Sequence, residues 1–171
     1  MSAGGDFWNF SLAVYGQSGV PDECLALQER LGADVNLLLL CAYLGAKRKV
    51  LLDSNDIVSV AAASNAWHVD VVRNLRAARQ ALKPWEEGRD PPLQDSARAL
   101  RSTVKKLELD AERIEHDLLA NWANERSFAS SSPEIAVPAN IRALLTYYTE
   151  QNTTALLPTR LMAAAQSLSA S

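Results

Sequence analysis

The residues whose types could do chemistry are few: two histidines, two cysteines, scattered serines and a long series of cations. Glu112 and His116 lie four apart, with Glu115 adjacent. On a helix that spacing lets two side chains touch one metal ion. A di-iron carboxylate bundle needs a Glu-x-x-His motif on each of two helices and further glutamates. Only one imperfect pair is present, so no metal is expected. His68 stands apart from it. Cys24 and Cys41 fall inside apolar helical patterns with no C-x-x-C spacing, which reads as buried, reduced thiols. Ser11 and the run Ser130-Ser131-Ser132 have no glycine elbow and no evident base. No G-x-G-x-x-G or Walker loop occurs, so no cofactor is expected and the sequence gives no sign of an enzyme. A small-ligand or catalytic pocket assembled in a helical core stays open as an alternative.

The cations are more orderly. Arg73, Arg76, Arg79 and Lys83 recur at helical spacing with no acid between them, and Arg98, Arg101, Lys105 and Lys106 follow shortly. Glu86, Glu87, Asp90 and Asp95 offset them in part, and Glu108, Asp110, Glu112, Glu115 and Asp117 come next. If the two stretches pair as a hairpin, one half is basic and the other acidic. Trp67 and Trp85 flank the basic run. A tryptophan beside arginines resembles an interaction hot spot. The expectation is a protein-docking surface made of Arg73, Arg76, Arg79, Lys83, Trp85, Arg98 and Arg101. The alternative is an RNA- or ribosome-associated accessory protein that sets the same cations on phosphates. Few aromatics interleave with them, which disfavours stacking on single strands. The net charge of −3 also disfavours a generally basic nucleic-acid binder. The plainer reading is a solvated helical face that keeps the hairpin soluble.

The elements that must position these residues read as helices. Asp34 to Leu44 contains four consecutive leucines, Leu37 to Leu40. Four adjacent leucines circle a helix completely, so this helix should be buried on all sides. Asp34 is its expected N-cap and Gly45 its expected C′ residue. Asn36, in its first turn, suits either a bond to the helix's own backbone or a polar contact with a neighbour or ligand. Before it come a short apolar helix from Phe7 to Tyr15, capped by Asp6, and a second from Pro21 to Leu31, closed by Gly32. A fourth runs from about Asp53 to Lys83 with a bend expected near Ser64-Asn65, and Pro84 stops it. Trp85 to Pro92 reads as a polar turn. The fifth carries Leu93, Leu100, Leu107 and Ile114 at one heptad position and Ala97, Val104, Ala111 and Leu118 at the other. That pattern predicts coiled-coil-like pairing with the fourth helix, or self-association with a second chain. A Ser- and Pro-rich linker follows. A sixth helix carries Ile141, Leu144, Leu145 and Tyr148 on its apolar side, Asn152-Thr153-Thr154 breaks it, and a last helix ends the chain.

The opening D-F-W-N-F-S-L-A-V-Y, the segment C-L-A-L-Q, the helix D-V-N-L-L-L, and Trp67 followed by Val71, Val72, Leu75, Arg76 and Arg79 resemble a proteobacterial domain-of-unknown-function family of short helical proteins. The resemblance spans the first half to two-thirds of the chain. It implies a bacterial cytosolic protein and transfers no catalytic residue.

Together these observations predict an all-α fold, a helical bundle with a buried central helix and a long antiparallel helical hairpin. The expected organisation is a core and hairpin over residues 1–126, a linker over 127–137 and a helical appendage over 138–171. Whether the appendage packs on the core is left open. The N-terminus lacks a basic region and a long apolar run, so no secretory signal is expected. No apolar run approaches the roughly 20 residues a membrane span needs, and a cytoplasmic location is expected.

Overall fold

The computed structural model describes residues 3–87, 91–149 and 157–169. It is all-α apart from one two-stranded ribbon. The elements are α1 (Ala3–Tyr15), α2 (Val20–Leu31), α3 (Val35–Ala46), β1 (Val50–Leu51), α4 (Ser54–Trp67), α5 (Arg73–Leu82), α6 (Pro91–Asn124), β2 (Ala129–Ser130), α7 (Pro133–Tyr148) and α8 (Thr159–Ser167). The chain divides into two compact units, one drawn from Met1–Ala63 and His116–Ser171, the other Ser64–Glu115. The sequence-predicted break at Asn152-Thr153-Thr154, and Asp90 in the predicted turn, lie outside the described residues.

The first unit is organised around α3. Leu37, Leu38, Leu39 and Leu40 are all buried, as four adjacent apolar residues on a helix require. Asp34 caps it, its Oδ1 accepting the Asn36 N–H at 2.8 Å. Gly45 does not end the helix: it lies inside α3, and Lys47 is the cap. Its role is close approach. A Cβ at Gly45 would lie 2.7 Å from the Val137 backbone nitrogen, so only glycine lets α7 seat there. Gly32, at φ 66°, is the positive-φ C-cap that ends α2.

Among the described elements, α3 packs most extensively on α7. Val137, Ile141, Leu144 and Leu145 of α7 are fully buried, and α8 adds Leu161 and Ala165 to the same core. The described residues of α7 and α8 therefore pack on the core. Asn140 locks the arrangement from inside. Its Oδ1 accepts the Leu52 N–H at 2.9 Å, and its Nδ2 donates to the carbonyls of Cys41 at 3.3 Å and Val50 at 3.0 Å. One buried amide thus satisfies backbone groups of α3, β1 and the segment after β1. The stretch read as a linker holds β2, which pairs antiparallel with β1, and the start of α7. Pro138 falls inside α7.

The second unit is a hairpin. The irregularity expected near Ser64-Asn65 falls at His68–Val72, which forms a π-helical turn, with the Arg73 N–H bonded to the His68 carbonyl. Pro84 does not stop the helical path at once, because Lys83–Glu87 continues it as a 3-10 turn.

Candidate functional site

The predicted docking residues lie on the 64–115 hairpin, and its cross-helix bonds run in opposite sequence directions. Trp67 Nε1 donates to the Ala111 carbonyl at 2.9 Å, Arg76 reaches Glu108 and Glu112, and Arg101 reaches Arg79 and Glu86. Such a ladder defines an antiparallel pair. His68 Nδ1 and Glu115 Oε1, 3.1 Å apart, add a further rung.

Charge, not leucine, fills the seam. Arg76 Nε donates to Glu108 Oε1 at 3.0 Å and Arg76 Nη2 to Glu112 Oε1 at 2.8 Å. Arg79 Nε bonds Glu108 Oε2, so one carboxylate receives both guanidinium groups. Burial would raise the Glu108 carboxyl, but the hydrogen bonds and charges of Arg79 and Arg76 outweigh it and hold it below its ordinary value. At Glu112 burial wins over the single Arg76 contact, and its carboxyl is pushed up. Burial disfavours charge on Arg76 too, yet its two carboxylate partners raise it further.

Of the predicted docking residues, Arg76, Arg79 and Arg101 are thus engaged within the hairpin. Arg101 Nη1 lies 3.4 Å from Glu86, and its Nε donates to the Arg79 carbonyl at 3.3 Å. Arg98 is exposed and paired with Asp95 at 2.7 Å. Arg73 and Lys83 are exposed, with no ion-pair partner among the described residues. Trp85 is 58% exposed.

The heptad expectation holds only in part. Of its eight positions Ala97 and Ala111 are buried and Val104 is half-buried, but Leu118 is exposed and Leu93, Leu100, Leu107 and Ile114 are 46–53% exposed. The rotation follows from the charged seam. Glu108 and Glu115, one residue on from Leu107 and Ile114, face the partner helix, which turns the leucine row to one side. The periodicity was visible in the sequence. Which neighbouring row would face inward was not, because that depends on Arg–Glu pairing across the hairpin.

Glu112 accepts from Arg76 Nη2 within the second unit. In the first unit His116 is buried, stacked on Phe7 at 4.2 Å between ring centres, edge-on to Trp8, with Nε2 3.1 Å from Asn36 Oδ1. Asn36 thus makes a polar contact with a neighbouring helix. A cavity of about 450 Å³ opens between α1 and α3, lined by Asp6, Asn9, Phe10, Tyr43, Lys47 and Leu168. Burial, with Asp6 adding to it and Arg48 opposing, pushes the Tyr43 phenol up. Cys24 and Cys41 are buried free thiols, each pushed up to about 12, both chiefly by burial. At that value neither is a thiolate near neutrality.

The family model described as Protein of unknown function (DUF2390) matches residues 6–119. The chain belongs to this family. The DUF2390 match takes in α1 to α5 and most of α6, including the whole hairpin, and ends before α7 and α8. No curated protein and no solved structure matches the chain. No described helix is long and apolar enough to cross a membrane.

Proposed function

We propose that this DUF2390 chain is a bacterial cytosolic, non-enzymatic module that docks a protein partner on the turn end of its 64–115 hairpin. The observation that carries the reading is Trp85, 58% exposed at the end of the hairpin and two residues from the exposed Lys83. A large aromatic left in water is the residue type that most often anchors an interface. Arg73, exposed further along α5, adds to the cationic surface, while Arg98 is paired with Asp95. Arg76, Arg79 and Arg101, whose charges are met within the hairpin, hold its shape instead. That leaves fewer cations for phosphates and favours protein over RNA.

A tagged pull-down near physiological salt, with protein and RNA both identified, tests this. A specific protein lost in Trp85→Ala and in Arg73→Glu/Lys83→Glu supports it. Capture of RNA that falls away steeply with added salt supports the nucleic-acid alternative. A second reading rests on the cavity between α1 and α3. Asp6 and Lys47 line it together with Phe10 and Tyr43, a combination suited to a small zwitterion with an apolar side. A small molecule retained by the wild-type chain and lost in Asp6→Asn/Lys47→Met, read by native mass spectrometry, would favour that reading.

A further inference from the structure

The cavity between α1 and α3 gathers polar and apolar groups onto one lining. Asp6, Asn9, Phe10 and Ala13 are three and four residues apart, so they line it from one face of α1. Along that face they run from a carboxylate and an amide to a ring and a methyl group. Tyr43 and Lys47, four apart at the end of α3, line it too, and Leu168, the C-cap of α8, adds an apolar contact. Phe10 and Tyr43 meet edge to face, with ring centres 5.4 Å apart. Among the described residues, none forms a hydrogen bond or ion pair to the Asp6 carboxylate, the Asn9 amide or the Tyr43 hydroxyl. Asp6 and Asn9 are open to water, whereas Tyr43 is half-buried. Its phenol is pushed up by burial and by Asp6, so near neutrality it offers an intact O–H. A few polar groups converging on an otherwise apolar recess make the usual form of a small-molecule site.

Resting on the small-molecule reading of this cavity, we infer that its ligand is an α-amino acid with a large apolar side chain, its ammonium at Asp6 and Tyr43, its carboxylate at Lys47 and its side chain against Phe10 and Leu168. Three features select this class. First, the lining carries one charge of each sign. A simple amine would meet Lys47 and a simple carboxylate would meet Asp6, each at a like-charge cost. A zwitterion meets an opposite charge at both. Second, the Asn9 amide and the Tyr43 hydroxyl can each donate and accept, so they can complete the hydrogen bonds of an ammonium and a carboxylate alike. Third, the volume of about 450 Å³ falls within the roughly 300–1,000 Å³ usual for ligand sites. Glycine would leave most of it unfilled. An aromatic or branched side chain would instead bury apolar area on Phe10, Ala13 and Leu168.

Isothermal titration calorimetry of the full chain with L-phenylalanine and L-leucine is the test. Both should bind saturably, one molecule per chain. Three comparators each lack one group: 2-phenylethylamine the carboxylate, 3-phenylpropanoate the ammonium and glycine the side chain. Each should bind at least about tenfold more weakly, the weight of one hydrogen bond to a charged group or of one buried apolar side chain. Asp6→Asn should weaken L-phenylalanine by a similar factor and leave 3-phenylpropanoate no weaker. Lys47→Met should weaken L-phenylalanine and leave 2-phenylethylamine no weaker. Helical circular dichroism checks that both variants fold, and L-phenylalanine should slow amide exchange at Leu168 in the unaltered chain, a readout that needs no variant. Absence of saturable binding by both amino acids up to millimolar concentration overturns the inference. So does equally tight binding of 2-phenylethylamine, or binding that both variants leave unchanged. If the amino acids fail but another small molecule is retained by the wild-type chain and lost in Asp6→Asn/Lys47→Met, this inference falls and the cavity reading stands; if none is retained, both fall.

Discussion

Asn140 is fully buried and makes three hydrogen bonds to backbone groups. Removing it strips the Leu52 N–H and the Val50 carbonyl of this partner inside the core, while the Cys41 carbonyl keeps its place in the α3 ladder. Asn140→Ala should therefore lower stability by roughly 3 kcal/mol, near the upper range for a buried unsatisfied group, as read from the midpoint of urea unfolding. Glu108 makes a pH-dependent contribution. Its carboxyl is held below the ordinary 4.5 in the folded chain, so its stabilisation is present above that value and is lost as the pH falls through 4.5 toward its folded value. Glu112, raised by burial, acts in the opposite sense, with stability declining as the pH rises from 4.5 through its folded value. Glu108→Gln should therefore flatten the acid limb of the stability curve below about pH 4.5, and Glu112→Gln should flatten the decline above it. Unfolding midpoints measured from pH 3 to 7 check both. These roles were not legible in the sequence. An Asn at position 140 looks like any polar residue of a helix, and only the fold brings the Leu52, Cys41 and Val50 backbone to it.

Helix boundaries were more legible than helix contacts. Asp34 and Gly32 mark real ends because capping is local chemistry written in adjacent residues. Gly45 was misleading, since a glycine required for close helix packing looks the same as one that ends a helix. The N-terminus of α8 shows the limit of local reading. Pro158 stands at its cap position and makes no side-chain cap bond. Its backbone donors are met by Glu23 of α2, which accepts from the N–H groups of Arg160 at 2.9 Å and Leu161 at 3.0 Å. A carboxylate there also complements the helix dipole. Glu23→Ala should cost about 1 kcal/mol, the usual worth of a cap, with amide exchange accelerated first in α8. On α6 the heptad pattern announced a long helix correctly. The buried row could not be chosen from periodicity, because Arg76 and Arg79 pull Glu108 into the seam and turn the leucines aside.

At the scale of the molecule, the all-α class and the buried central helix were readable from composition and from four adjacent leucines. The partner of that helix was not. The strongest sequence pattern lies in α6, yet α3 packs most extensively on α7, a helix beyond the family match. Leu144, fully buried on α7, should be among the most costly positions to truncate. Leu144→Ala is expected to lose about 2–5 kcal/mol, measured by denaturant unfolding.

The pairing of α3 with α7 has a consequence for how the chain is made. Cys41 and Asn140, joined by a hydrogen bond, are 99 residues apart. At roughly 5–20 residues per second of translation, α3 leaves the ribosome several seconds before its main packing partner. The 64–115 hairpin, whose contacts are nearer in sequence, is complete in that interval. The nascent chain thus carries its most apolar helix without its main packing partner until α7 emerges.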